Sequence, residues 1–336
     1  MVVVGNLTTK QMFRNYIFLL SGCFLFSCST EPQQKTKPNK PKIKIEVPAF
    51  NADSAYFFVE KQVSFGPRVI SSTPWKNCAI WLEQKFKTYT PNVIIQEAPI
   101  TTYDGKNHTL KNIIASFSPE KNNRVVLFAH WDSRHIADHD TKNQNSPILG
   151  ANDGGSGVGV LLEMARQFSK KQPNIGVDII LFDAEDYGQP EDSEYPIMQD
   201  SWCLGSQYWS NNPHKQNYFA RYGILLDMVG AKNATFRHEQ ISFYYASNIL
   251  QKVWRQASRL GFGNYFVFEN AKQIMDDHYY VNTITGIPTI DIIEYDPSTE
   301  SNFNKHWHTH KDDMGNIDRN TLNAVGKTLL EVIYNE

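Results

Sequence analysis

The residues most capable of chemistry are acids that follow apolar runs. In DIILFDAEDYG (178–188) an apolar stretch reads as a buried strand, and Asp183, Glu185 and Asp186 follow it directly. Stripping a carboxylate of water costs several kcal/mol, so acids in such a place need a cation, a shared proton or hydrogen-bond donors. The arrangement recurs: His130 and Asp132 follow VVLFA, Asp227 follows GILL, and Glu294 follows DII. Asp153 lies in the Gly-rich turn of ILGANDGGSG, where it either caps the next helix or holds a cation. NKHWHTHKDD (304–313) carries His306, His308 and His310 at alternating positions, which share one side if the chain is extended. Zinc takes imidazole and carboxylate ligands, and a catalytic zinc keeps one position open beyond three protein ligands. The candidate ligands are therefore His130, Asp132, Asp153, Glu185, Asp186, Asp227, Asp276, His278, His306, His308 and His310.

These side chains need a frame. NADSAYFFVEKQVSFG and STPWKNCAIWLEQKFKTY read as helices, with Asn51 and Ser72 or Thr73 as caps and Gly66 ending the first. NVIIQEAPI and LKNIIASF read as a hairpin around YDGKNH. Apolar strands then alternate with helices: RVVLFAHWD, GSGVGVLLEMARQFSK, VDIILFDAE, LGSQYWSNN, GILLDMVG, YYASNILQKVWRQASRLG, IPTIDIIEYD and DRNTLNAVGKTLLEVIYN. Near-continuous apolar strands separated by helices indicate an α/β sheet covered on both faces, as one domain over 46–336. In such sheets reacting groups gather at the carboxyl ends of the strands, where the acids of this chain stand.

The first residues differ in kind. MFRNYIFLLSGCFLFSCST places Arg14 before a short apolar run and then small residues, the layout of a signal peptide over 1–28. LSGC and LFSC both resemble the lipobox of bacterial lipoproteins; Cys28 leaves the longer apolar run before the cut and is the expected lipid anchor. Residues 29–45, polar and rich in Lys and Pro, read as a tether. The picture is an exported bacterial protein on the periplasmic side, touching the membrane only through a lipid. The 336 residues carry a formal charge of -2, which argues against nucleic acid as a partner. Outside the signal only Cys78 and Cys203 remain, read as two buried free thiols. No GxSxG elbow accompanies Ser156 or Ser206, and the apolar flank of Cys203 suits an inert thiol better than a nucleophile. Trp131, Tyr187 and Trp202 are expected in the core more than in a pocket wall.

The ordered set AHWDS, GANDGGSG, FDAEDYG, LLDMVGA, MDDH, GIPTI and WHT resembles the single-zinc glutaminyl cyclases and their relatives, the co-catalytic zinc aminopeptidases, from about Asp53 to the C-terminus. The resemblance implies a three-layer fold with a mostly parallel twisted central sheet flanked by helices. It implies one zinc per chain held by Asp153, Asp186 and His308, with Glu185 as general acid and base. Asp227 and Asp276 become an acid pair beside the reacting groups, and Trp307 lines the substrate pocket. The implied reaction closes an N-terminal glutamine onto its own side-chain amide, giving pyroglutamate and ammonia, on peptides and exported proteins, by a monomer. Burial, Asp183 and Asp186 are expected to raise the Glu185 pKa.

The alternative is the di-zinc aminopeptidase, since His130 and Asp227 occupy the positions that hold its second ion. Trp307, Asp276 and the LLDMVGA context resemble the cyclases more. A non-catalytic lipoprotein on a dead scaffold should have lost Glu185 or a ligand, and neither is lost. Two departures from the animal cyclases stand out: Asp186 replaces their ligand Glu, and Asp291 replaces their pocket His.

Overall fold

Helices begin where side-chain acceptors stand. Asn51 accepts from the Ser54 amide to start α1 (Ala52–Val63), and Ser72 accepts from Trp75 to start α2 (Thr73–Lys87), which has Pro74 in its first turn. The computed structural model describes residues 46–336, within a compact unit of Ile45–Glu336. The expected signal peptide over 1–28, the expected lipid anchor at Cys28 and the expected tether over 29–45 lie outside the described residues. Among the described residues no helix is long and apolar enough to cross a membrane.

The hairpin forms as expected from β1 (Val93–Thr101) and β2 (Asn107–Phe117), paired antiparallel. There follow β3 (Arg124–His130), α3 (Gly155–Lys170), β4 (Gly176–Phe182), α4 (Leu204–Asn211) and β5 (Gly223–Asp227). The chain continues through β6 (Phe236–His238), α5 (Gln240–Arg259), β7 (Phe266–Asn270) and α6 (Asp277–Tyr280). A π-type turn over Val281–Thr285 precedes β8 (Thr289–Ile293), and α7 (Arg319–Tyr334) closes the unit. The main sheet has the order β1-β2-β4-β3-β5-β8. Its β4–β3, β3–β5 and β5–β8 ladders are parallel, and only the hairpin side is antiparallel.

Strand periodicity assigns the two faces. Leu127, Ala129, Ile179, Leu181, Ile224 and Ile290 pack with α1, α3, α5 and α7. Val126, Phe128, Ile180, Phe182 and Leu225 point the other way, onto Trp209 of α4 and Val281. Each fully buried Leu, Ile or Phe contributes about 1.5–3 kcal/mol, so the sheet is fixed from both sides. Chain order reverses at β3: β4 lies on one side of it and β5 on the other. That switch point is where α/β sheets open a crevice at their strand ends.

Three features escape the pattern. The two-stranded sheet β6–β7 is too short to show periodicity. Helix α5 starts at Gln240 instead of Tyr244, because the Glu239 carboxylate accepts from the amides of Ile241 and Ser242. The α6 turn carries no apolar period of its own. Cys78 and Cys203 are both buried, and among the described residues they are unpaired, as expected.

Candidate active site

Each strand end hands over to a tight turn that aims a carboxylate. After β4, Ala184 adopts φ 53°, and the amides of Glu185 and Asp186 donate to Asp132 at 3.2 and 3.1 Å. Asp132 is thus occupied in shaping this turn. Before α3, the amides of Asn152 and Asp153 donate to Asp312 at 2.9 and 3.0 Å. The chain then turns at Gly154 with φ 78°, where a Cβ would stand 2.4 Å from the Asp132 carbonyl, so only glycine fits. Gly154 is also the residue that caps α3, and no side chain caps the helix. The Asp153 carboxylate is therefore not a helix cap and remains available to the site.

Asp153, Asp186 and His308 are buried, with ligand atoms all within 4.8 Å of one another. His308 Nε2 stands 3.3 Å from Asp186 Oδ1 and 3.8 Å from Asp153 Oδ2. Its Nδ1 lies 3.0 Å from Asp138, which leaves Nε2 for the cluster. Neither Asp186 oxygen accepts a hydrogen bond, although both are buried. Burial and then the Asp153 charge push the Asp186 carboxyl up to about 6. Burial also raises Asp153, but the hydrogen bond and charge of His130 outweigh it and hold that carboxyl below its ordinary value. Two buried acids and an imidazole backed by a carboxylate form a donor set that a zinc ion would satisfy. Asp138, which the sequence reading missed, also pairs with buried Arg134 at 2.6 Å. Asp138→Asn should weaken zinc binding about 10–100-fold in a chelator competition, with the fold intact. Unchanged affinity would remove Asp138 from the site.

The three alternating histidines do not share a side. Residues 304–312 form successive turns, with Trp307 bonded back to Asn304 and Thr309 to His306, and His308 takes φ 54°. His310 leaves to meet Asp140 at 3.0 Å, and His306 is half-buried without joining any donor cluster found among the described residues. Only His308 enters the site.

A second group adjoins the first. His130 Nε2 lies 3.1 Å from both Asp153 Oδ1 and Asp227 Oδ1, and Nδ1 is 3.8 Å from Glu185 Oε2. Glu185 is pushed well above the usual carboxylate range by burial, then by Asp276, Asp186 and Asp277, against the pull of His130. Asp183 accepts from Trp75 Nε1 at 2.9 Å and from the Lys111 amide at 2.7 Å. Burial, opposed by His130, leaves the Asp227 carboxyl at about 7. Asp276 forms a further buried cluster with His278 and Asp291, behind which Glu239 meets His278 Nε2 at 3.1 Å.

These groups open onto a cavity of about 340 Å³ lined by Asp153, Glu185, Asp186, Asp227, Asp276, Trp202, Phe303, Trp307 and His308. The Trp307 ring stacks on His308 at 3.7 Å. Trp202 is a wall of the cavity, whereas Trp131 is fully buried against Trp75. Tyr187 is buried in the core cluster, its hydroxyl donating to Asp104. One cavity therefore combines a metal donor set, a buried carboxyl with raised proton affinity and aromatic walls.

The profile of Peptidase family M28 matches residues 112–333. The chain belongs to peptidase family M28. This M28 chain is similar to the Tannerella forsythia glutaminyl cyclase, at 53% identity and TM-score 0.84 over 86% of this chain and 100% of that one. It is equally similar to a Zn-dependent exopeptidase from Parabacteroides distasonis, at 54% identity and TM-score 0.85 over 87% and 100% of the two chains. The glutaminyl-peptide cyclotransferase of Bos taurus is 26% identical over 249 residues, 66% of this chain. The M28 chain spans 64% of the length of that curated relative. Family and neighbours agree with the three-layer architecture and make zinc the metal that suits this donor set.

Proposed function

We propose that this M28 chain is a glutaminyl cyclase, converting the N-terminal glutamine of peptides and exported proteins to pyroglutamate with release of ammonia. The observation that carries the reading is the position of Glu185, beside the Asp153–Asp186–His308 donors and on the same cavity as Asp276. The 53% identity to a glutaminyl cyclase supports it. One zinc on those three donors would act as a Lewis acid toward the side-chain amide carbonyl.

The protein's own groups manage position and protons. Glu185 takes a proton from the α-amine as its nitrogen bonds to the amide carbon, then delivers a proton to the departing ammonia. One C–N bond forms, one breaks, and no water is consumed. Asp276 Oδ2 is buried without a partner, placed to accept a hydrogen bond from the amine. Asp227, held by His130, completes the acid pair. Trp307 packs flat against His308 and walls the pocket. A cavity near 340 Å³ suits one terminal residue, and ring closure then gains from proximity. The same proposal places the protein on the periplasmic side of a bacterial envelope as a monomer lipidated at Cys28.

A second reading is an M28 aminopeptidase. His130, Asp153 and Asp227 also bring ligand atoms within 4.8 Å of one another, enough for a second ion. Metal analysis of the purified protein should give one zinc per chain, where the peptidase requires two. A peptide beginning with glutamine should yield ammonia and a pyroglutamyl product; release of free glutamine would sink the cyclase reading.

A further inference from the structure

Cys203 takes no part in the chemistry above, yet its side chain reaches the centre of the site. Its Sγ lies 3.3 Å from Glu185 Oε1 and 4.0 Å from Asp276 Oδ1. Across the same group, Asp276 Oδ2 is buried and unpartnered, and all three residues line the cavity. The main chain repeats the attachment. The Cys203 amide donates to the Glu185 carbonyl at 3.0 Å, and the Leu204 amide to the Ala184 carbonyl at 3.1 Å. The turns at 184 and 203 thus clasp each other, and each bears a non-glycine residue in the left-handed region, φ 53° and 58°. Gly205 permits the approach, since a Cβ there would stand 2.3 Å from the Asp183 carbonyl.

We propose that Cys203 is a positioning residue: its S–H donates to Glu185 Oε1 and leaves Oε2 as the oxygen that exchanges protons with the substrate. The inference rests on the assignment of Glu185 as general acid and base. Burial, and then the charges of Glu185, Asp277 and Asp276, push the thiol well above its ordinary pKa. The sulfur therefore keeps its proton and serves as a donor, not a nucleophile. No other side chain donates to the Glu185 carboxylate among the described residues, although His130 Nδ1 approaches Oε2 to 3.8 Å. Without the thiol, Oε1 loses its donor and the carboxylate is free to rotate.

The test compares Cys203→Ala with Cys203→Ser at matched zinc content and melting temperature. The Ala variant should lose about tenfold in kcat with KM within about twofold, as expected for one positioning hydrogen bond. The Ser variant, which restores a donor, should recover most of that loss. Full kcat in the Ala variant overturns the proposal. Equal loss in both variants also overturns it, since the sulfur would then matter only as bulk. If either variant fails to fold, the S–H stretching band of the wild-type protein decides. One of its thiol bands should shift in Glu185→Gln, and a band indifferent to that change overturns the proposal. Wild-type turnover of a glutamine peptide tests the cyclase reading separately, because the variants are compared on whichever reaction the wild type performs.

Discussion

Glu185→Gln should abolish turnover while leaving zinc content and melting temperature unchanged. The substitution keeps the shape of the side chain and an oxygen to accept from Cys203, which approaches Oε1 at 3.3 Å. Asp153, Asp186 and His308 remain untouched, so the metal should stay. What disappears is a group that both binds and releases a proton. Positioned acid–base catalysis is worth about 10²–10⁴-fold, and the proposed role of Glu185 predicts a loss of that size. Burial and three neighbouring acids favour the protonated form while His130 opposes them. Steady-state rates on a glutamine peptide, with metal analysis of the same sample, decide the matter. A variant within tenfold of wild-type kcat would remove Glu185 from the chemistry.

The largest expected effect on stability lies far from the site. Asp178→Ala should cost about 3–5 kcal/mol, because it leaves a buried guanidinium without its counter-charge. Arg124 grips Asp178 through two parallel hydrogen bonds of 2.7 and 2.8 Å, and Tyr218 adds a third at 2.7 Å. Asp178 is fully buried. Burial alone would raise its pKa, but the Arg124 hydrogen bonds and charge outweigh burial and depress it. A carboxyl with a depressed folded-state pKa contributes stability at pH values above its unfolded value, near 3.9. That contribution fades as pH falls through the folded pKa. The gap between wild type and variant, measured by urea unfolding at constant m-value, should therefore be full at pH 7 and narrow below about pH 4. A loss under 1 kcal/mol at pH 7 would contradict the account.

The frame was legible because its signals are local. Strands such as Ile224–Leu226 and Ile179–Leu181 are apolar throughout, since both faces of a central parallel strand are covered. Asn51 and Ser72 cap where caps were expected. Elements without a period of their own, β6, β7 and α6, stayed hidden. The histidine run shows the limit more sharply. Alternation implied one shared side for His306, His308 and His310, yet the backbone turns at each step and only His308 enters the site.

What the sequence determined by itself is the α/β class, the gathering of acids at strand ends and, through ordered motifs, the family. These depend on residue type and short-range spacing. Only the tertiary structure decided which partner each buried charge meets: Arg124 for Asp178, Asp138 for His308, Asp132 for the Glu185–Asp186 amides and Cys203 for Glu185. The reason is physical. A charge stripped of water takes whatever partner the fold brings within about 3 Å, and in this chain those partners come from residues 18 to 170 positions away.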